Sequence, residues 1–123
     1  MLWVQLTVST AMVVGTVMLH LAGLLALLRV VDRAERGGSL AGDIARVTAA
    51  ALGLFALHTV EIWAYAVAYL ALGALHHFES ALYFSTVTYV AIGYGDVVLD
   101  HDWRVTSAIE GANGIILLGW STA

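Results

Sequence analysis

The chain has 123 residues, of which 61% are hydrophobic and only 11% charged, with a formal net charge of −4. So much apolar surface exceeds what one small water-soluble core can hide, which excludes an ordinary soluble domain and makes the bilayer the expected solvent. With no cysteine, disulfides and thiolate metal sites are excluded, and the five basic residues give no basis for a nucleic-acid partner.

Residues 1–28 contain no Lys, Arg, Asp or Glu, ample for the roughly 20 apolar residues that a spanning helix needs. A signal sequence fits less well, because the run lacks a basic start and is too long for an apolar signal core. Residues 29–46 form a polar connector carrying Arg29, Arg33, Arg36 and Arg46, with Gly37 and Gly38 as the expected helix stop. A second apolar segment, residues 47–75, contains one charge, Glu61. A third, residues 103–123, has only Glu110 after Arg104. Basic short loops stay in the cytoplasm, so the connector is expected inside and the N-terminus outside. Residues 76–102, with Glu79, Asp96, Asp100 and Asp102 and no Lys or Arg, then emerge on the outer face.

That outer stretch holds the most informative sequence in the chain. Residues 78–90 have helical content, but about 12 residues reach only ~18 Å at 1.5 Å per residue, too short to cross. They lead into VAIGYGDVV at residues 90–98, where two glycines flank a tyrosine and an aspartate follows. Non-helical backbone at membrane depth is tolerated only where protein or water surrounds it, so a re-entrant loop is expected.

Ala91, Ile92, Gly93, Tyr94, Gly95 and Asp96 resemble the selectivity-filter signature of the tetrameric potassium-channel pore domains, threonine-valine-glycine-tyrosine-glycine followed by aspartate. The resemblance covers residues 47–123, as outer helix 47–75, pore helix 78–90, filter 91–95 and inner helix 103–123. The 1–28 helix is an extra segment, as in some small prokaryotic members. It implies an all-α membrane protein of three transmembrane helices plus a re-entrant pore helix and filter loop. Because one chain supplies one filter strand, it also implies a fourfold homotetramer in which three identical subunits and the lipid bilayer are the partners. By this resemblance the protein is a passive channel and not an enzyme, in a prokaryotic inner (plasma) membrane. Its ligands are potassium ions at the carbonyls of residues 91–95, with no organic cofactor.

The expected roles follow from the same resemblance. Gly93 and Gly95 tolerate the positive φ that turns successive carbonyls toward one axis. Asp96 sits at the outer mouth, while Tyr94 is expected to pack back on the pore helix and Tyr83, Phe84 and Thr88 to support the filter. Ile115, Leu118 and Thr122, at helical spacing, line the cavity below. Gly114 falls at the family's hinge position, although a glycine there equally permits close approach of a neighbouring element. The departure is Ala91, which lacks the hydroxyl of the usual threonine; Val90 likewise replaces the common preceding threonine. A nonselective monovalent cation channel is therefore the alternative to a potassium-selective one.

Among polar residues within the apolar segments, His58 and Glu61 lie three apart on one helical face and are expected to form an interhelical hydrogen-bonded tie. A proton-sensitive switch, a metal-ligand pair, and a membrane scaffold or proton-coupled transporter using these two residues are the alternatives. Glu110 and Asn113 are expected to hydrogen-bond behind the filter or pore helix. His20 is expected to pack within the first helix, and His76, His77 and His101 to lie in solvated outer loops. The first helix has no arginine series, so no charge-bearing voltage sensor is expected there.

Overall fold

The computed structural model describes residues 1–34 and 38–123, which form four helices: α1 (Leu2–Arg33), α2 (Leu40–Ala71), α3 (Phe78–Tyr89) and α4 (Arg104–Thr122). The fold is all-α. At 32 residues each, α1 and α2 are ~48 Å long, more than the ~30 Å of a hydrocarbon core. Among the described residues these two helices are long and apolar enough to cross a membrane. The 19-residue α4 carries Thr106, Ser107, Glu110, Asn113 and Ser121, which lowers its hydropathy.

Helix ends depart from the expected boundaries for local reasons. α1 runs on to Arg33, and α2 begins at Leu40, well before residue 47. Both extensions lie in the polar connector, where water can solvate helical backbone, so hydropathy marks the edge of the lipid and not the end of the helix. Ser39 caps α2, its side chain accepting from the Gly42 amide at 3.1 Å, which satisfies one of the free donors of the first turn. α2 stops at Ala71, short of residue 75, because Gly73 takes φ +70 and the Ala74 amide turns back to the Tyr69 carbonyl at 2.9 Å. Gly38, at φ +55, lies just ahead of the Ser39 cap, while the stop expected at Gly37 falls outside the described residues.

α1 packs against both α2 and α4, and its sequence explains how. Its buried residues are Gln5, Ser9, Thr16 and His20, a polar stripe on one helical face that turns inward while the apolar residues face out. Against α2 the contact is reciprocal. A Cβ on Gly23 would lie 2.3 Å from Leu57 Cδ1, and one on Gly53 would lie 2.5 Å from Leu27 Cδ1. Each helix therefore seats a leucine on the other's glycine, which brings the backbones close. The apolar core sits where α2, α3 and α4 meet, around Tyr65, Tyr69, Phe84, Tyr89 and Leu117. Tyr69 and Phe84 pack edge to face there at 5.5 Å.

Candidate functional site

α3 is a 12-residue helix with Glu79 in its first turn, where a carboxylate suits the positive end of the helix dipole. Its other end turns directly into the loop. The Ala91 amide donates to the Thr88 carbonyl at 3.0 Å, and the Gly93 amide reaches back to the Val87 carbonyl at 2.9 Å. These bonds satisfy carbonyls of the last turn and fasten the loop beneath the helix.

The loop backbone has a regular alternation. φ is +60 at Ala91, +56 at Gly93 and +77 at Gly95. Ordinary extended backbone points successive carbonyls to opposite sides; a left-handed residue at every second position reverses that, so neighbouring carbonyls turn the same way. Gly93 and Gly95 take this conformation freely, whereas Ala91 pays about 1–2 kcal/mol for it. Residues 91–96 are all exposed in the single chain. Among the described residues no hydrogen bond ends on a carbonyl of residues 91–95, which leaves these oxygens available as ligands.

Around the loop, Tyr83 Oη donates to Asp96 Oδ2 at 2.8 Å, tying α3 to the residue after the glycine pair. That hydrogen bond raises the Tyr83 pKa above its ordinary value. Phe84 is buried against Tyr69. Tyr94 is 71% exposed in the single chain, and the side-chain tie between α3 and the loop runs through Tyr83 and Asp96. Of the residues expected to line a cavity, Ile115 and Thr122 are exposed, and Leu118 is half-buried at a lateral groove of about 410 Å3 shared with Phe55, Thr86 and Val90. Gly114 is at a close approach, for a Cβ there would lie 2.1 Å from the Tyr89 carbonyl oxygen.

Three buried polar clusters position this loop. Glu110 accepts from Tyr69 Oη at 2.6 Å and from Ser85, joining α2, α3 and α4. Asn113 Nδ2 donates to Thr16 Oγ1 at 2.8 Å and to Tyr65 Oη at 3.0 Å, joining α4 to α1 and α2. Glu61 takes the third: Tyr89 Oη donates to its Oε2, His58 Nδ1 lies 3.0 Å from Oε2, and His20 Nδ1 lies 2.8 Å from Oε1. His20 is therefore not a lone packing residue of α1. The sequence reading also passed over Tyr89 and Ser121, the latter 2.8 Å from His58 Nε2. The available signal was that a histidine in an otherwise charge-free apolar helix needs a polar partner on another element. Glu110→Ala would strand the Tyr69 hydroxyl in the core, while Ser85 keeps the Ile62 carbonyl as an acceptor at 3.0 Å. The substitution is expected to cost about 1–3 kcal/mol, read as a lower thermal midpoint in detergent, with Glu110→Gln losing less.

Two long apolar helices, a short third helix, and an exposed loop whose carbonyls accept no hydrogen bond among the described residues are features of a membrane protein. A sequence model described as Ion channel matches residues 43–123, roughly two thirds of the chain. The chain belongs to this ion channel family and is an integral membrane, non-enzymatic channel. The match begins in the first turn of α2 and leaves α1 outside it. No curated protein and no solved structure matches the chain.

Proposed function

We propose that the chain is one subunit of a fourfold homotetrameric, potassium-selective passive channel, with α1, α2 and α4 spanning the membrane and α3 re-entrant. The observation that carries this reading is the left-handed backbone at every second residue of 91–95 together with the free carbonyls along that stretch. A dehydrated potassium ion needs several oxygens at once, and one strand offers them from one side only; four strands around an axis complete the shell. The exposure of Tyr94, Ile92 and Ile115 in the single chain supports the same assembly, since these are residues a neighbouring subunit or the pore would face. α3 ends at the loop, so its negative dipole end also favours a cation there.

Orientation rests on the arginines of the α1–α2 connector, which place the N-terminus outside and the GYGD loop at an acidic outer mouth. Potassium ions at the carbonyls of Ala91, Ile92, Gly93, Tyr94 and Gly95 are the permeant ligands, and no organic cofactor is needed. Ala91 still offers a carbonyl but no hydroxyl, so the innermost site binds more weakly than the outer ones.

Purified protein in liposomes is expected to take up rubidium far faster than sodium, and external barium is expected to block that uptake. Equal uptake of both ions would instead support a nonselective cation channel, the reading that the missing hydroxyl at Ala91 favours. Uptake of neither would oppose both.

A further inference from the structure

We propose that His20, His58 and Glu61 form a buried site for one divalent transition-metal ion of the zinc class per chain, placed to act on the loop from behind. Each of the three offers one ligand atom, these atoms lie within 4.8 Å of one another, and all three residues are buried. His20 comes from α1 and the other two from α2, so an ion there would join the helix outside the family match to the helix that begins it. Two imidazole nitrogens and one carboxylate suit zinc, cobalt or nickel. Calcium and magnesium, which want six or more oxygens, are poorly served.

The hydrogen bonds around these groups orient both imidazoles. Ser121 Oγ lies 2.8 Å from His58 Nε2, 3.3 Å from His20 Nε2 and 3.1 Å from the Leu117 carbonyl. A hydroxyl has one hydrogen and two acceptor positions. When both Nε2 atoms carry hydrogen, Ser121 accepts from both and donates to Leu117, and both Nδ1 lone pairs turn toward the Glu61 carboxylate, the arrangement that can hold an ion. When only one carries hydrogen, Ser121 accepts from that ring and donates to the other, and Tyr89 Oη lies 3.1 Å from His58 Nδ1 as a further donor, so the same groups are also satisfied without an ion.

One divalent ion would offset the carboxylate charge at a single point shared by three ligands. Ser121 then orients both rings from outside, and the Tyr89 hydroxyl does the same for the carboxylate through Glu61 Oε2. The Nδ1 to carboxylate separations of 2.8 and 3.0 Å run to different oxygens of Glu61, and they need to open by about 0.4–0.6 Å to span a tetrahedral ion with ligands at ~2.1 Å. His58 also borders the lateral groove lined by Phe55, Thr86, Val90 and Leu118. Tyr89 is the last residue of α3 and Ser121 lies in the final turn of α4. A bound ion would therefore be linked to the end of α3 that leads into the loop and to the last turn of α4.

The binding claim stands apart from the channel reading; only its effect on conduction rests on that reading. The test uses full-length protein in nanodiscs carrying His76→Ala, His77→Ala and His101→Ala, which removes the exposed outer imidazoles. Calorimetric zinc titration is expected to give one ion per chain, and zinc-edge X-ray absorption to show two imidazoles with oxygen. His20→Gln, His58→Gln and Glu61→Gln should each weaken binding at least about tenfold, and Ser121→Ala should weaken it about tenfold. Zinc should alter rubidium flux in the parent and not in His20→Gln. Loss of all binding with the outer histidines, an affinity unchanged by His20→Gln, or an absorption spectrum without imidazole scattering would overturn the site. The spectrum of the parent decides even if the inner variants fail to fold. Zinc binding without any change in flux would support the site and contradict its coupling to conduction.

Discussion

Gly93→Ala is expected to abolish potassium and rubidium flux while leaving the individual chain folded. A Cβ at Gly93 meets nothing within 4 Å in the chain, so there is no local clash to unfold it. The cost is conformational, because φ is +56 there, and a side chain in the left-handed region costs about 1–2 kcal/mol per residue, or about 4–8 kcal/mol over the four subunits proposed. Ala91 already bears that strain at the inner end of the loop, so the stretch has little room for more. The peptide is expected to flip toward an ordinary conformation, taking a carbonyl away from the axis. Rubidium uptake in liposomes, alongside size-exclusion and helical circular dichroism profiles, reads both halves of this expectation. Near-normal flux in the variant would show that the carbonyl orientation at residue 93 is not what conducts.

The second large effect is expected at Gly114. A Cβ there would fall 2.1 Å from the Tyr89 carbonyl oxygen and 2.8 Å from its carbon, and backbone at the end of α3 cannot swing aside as a flexible side chain can. Gly114→Ala must push α4 away from α3, which also disturbs the Asn113 and Glu110 hydrogen bonds in the preceding turn. Overpacking of this kind costs about 1–3 kcal/mol, and with the polar contacts included the thermal midpoint should fall by several degrees or more. Gly119→Ala is the control, for its Cβ meets nothing within 4 Å and its stability should change little. A Gly114→Ala variant as stable as the parent would mean that the close α3–α4 contact is not maintained in the membrane.

How much of this was legible in the sequence depended on which interaction fixed each feature. Apolar run length located α1 and α2, since lipid selects directly for it. The limits expected for the short helix, residues 78–90, lie within one residue of α3 at Phe78–Tyr89, because a glycine-rich loop must end a helix. Its left-handed residues at Gly93 and Gly95 were readable from glycine's tolerance; the one at Ala91 was not, since alanine carries no such signal. Helix ends were missed because hydropathy reports lipid contact, whereas Ser39 in the connector and Gly73 at the far end of α2 set the helix limits by capping and turning. The inward face of α1 was missed for a related reason. Gln5, Ser9, Thr16 and His20 look like scattered polar residues in an oily helix until their partners are known. The partners of Gln5, Thr16 and His20, namely Val105, Asn113 and Glu61, lie far along the chain, while Ser9 bonds back to the Gln5 carbonyl. The tie between His58 and Glu61 was visible from a three-residue spacing, but His20, Tyr89 and Ser121 join it only through tertiary packing.

The central claim is that carbonyls of residues 91–95 from four chains replace the water shell of potassium. It is tested most directly by the reversal potential of the purified channel in a planar bilayer with potassium chloride on one side and sodium chloride on the other. A large potential following the potassium gradient, reduced toward zero by Gly95→Ala, is the predicted result. A reversal near zero with substantial current, or a potential unmoved by that substitution, would contradict it.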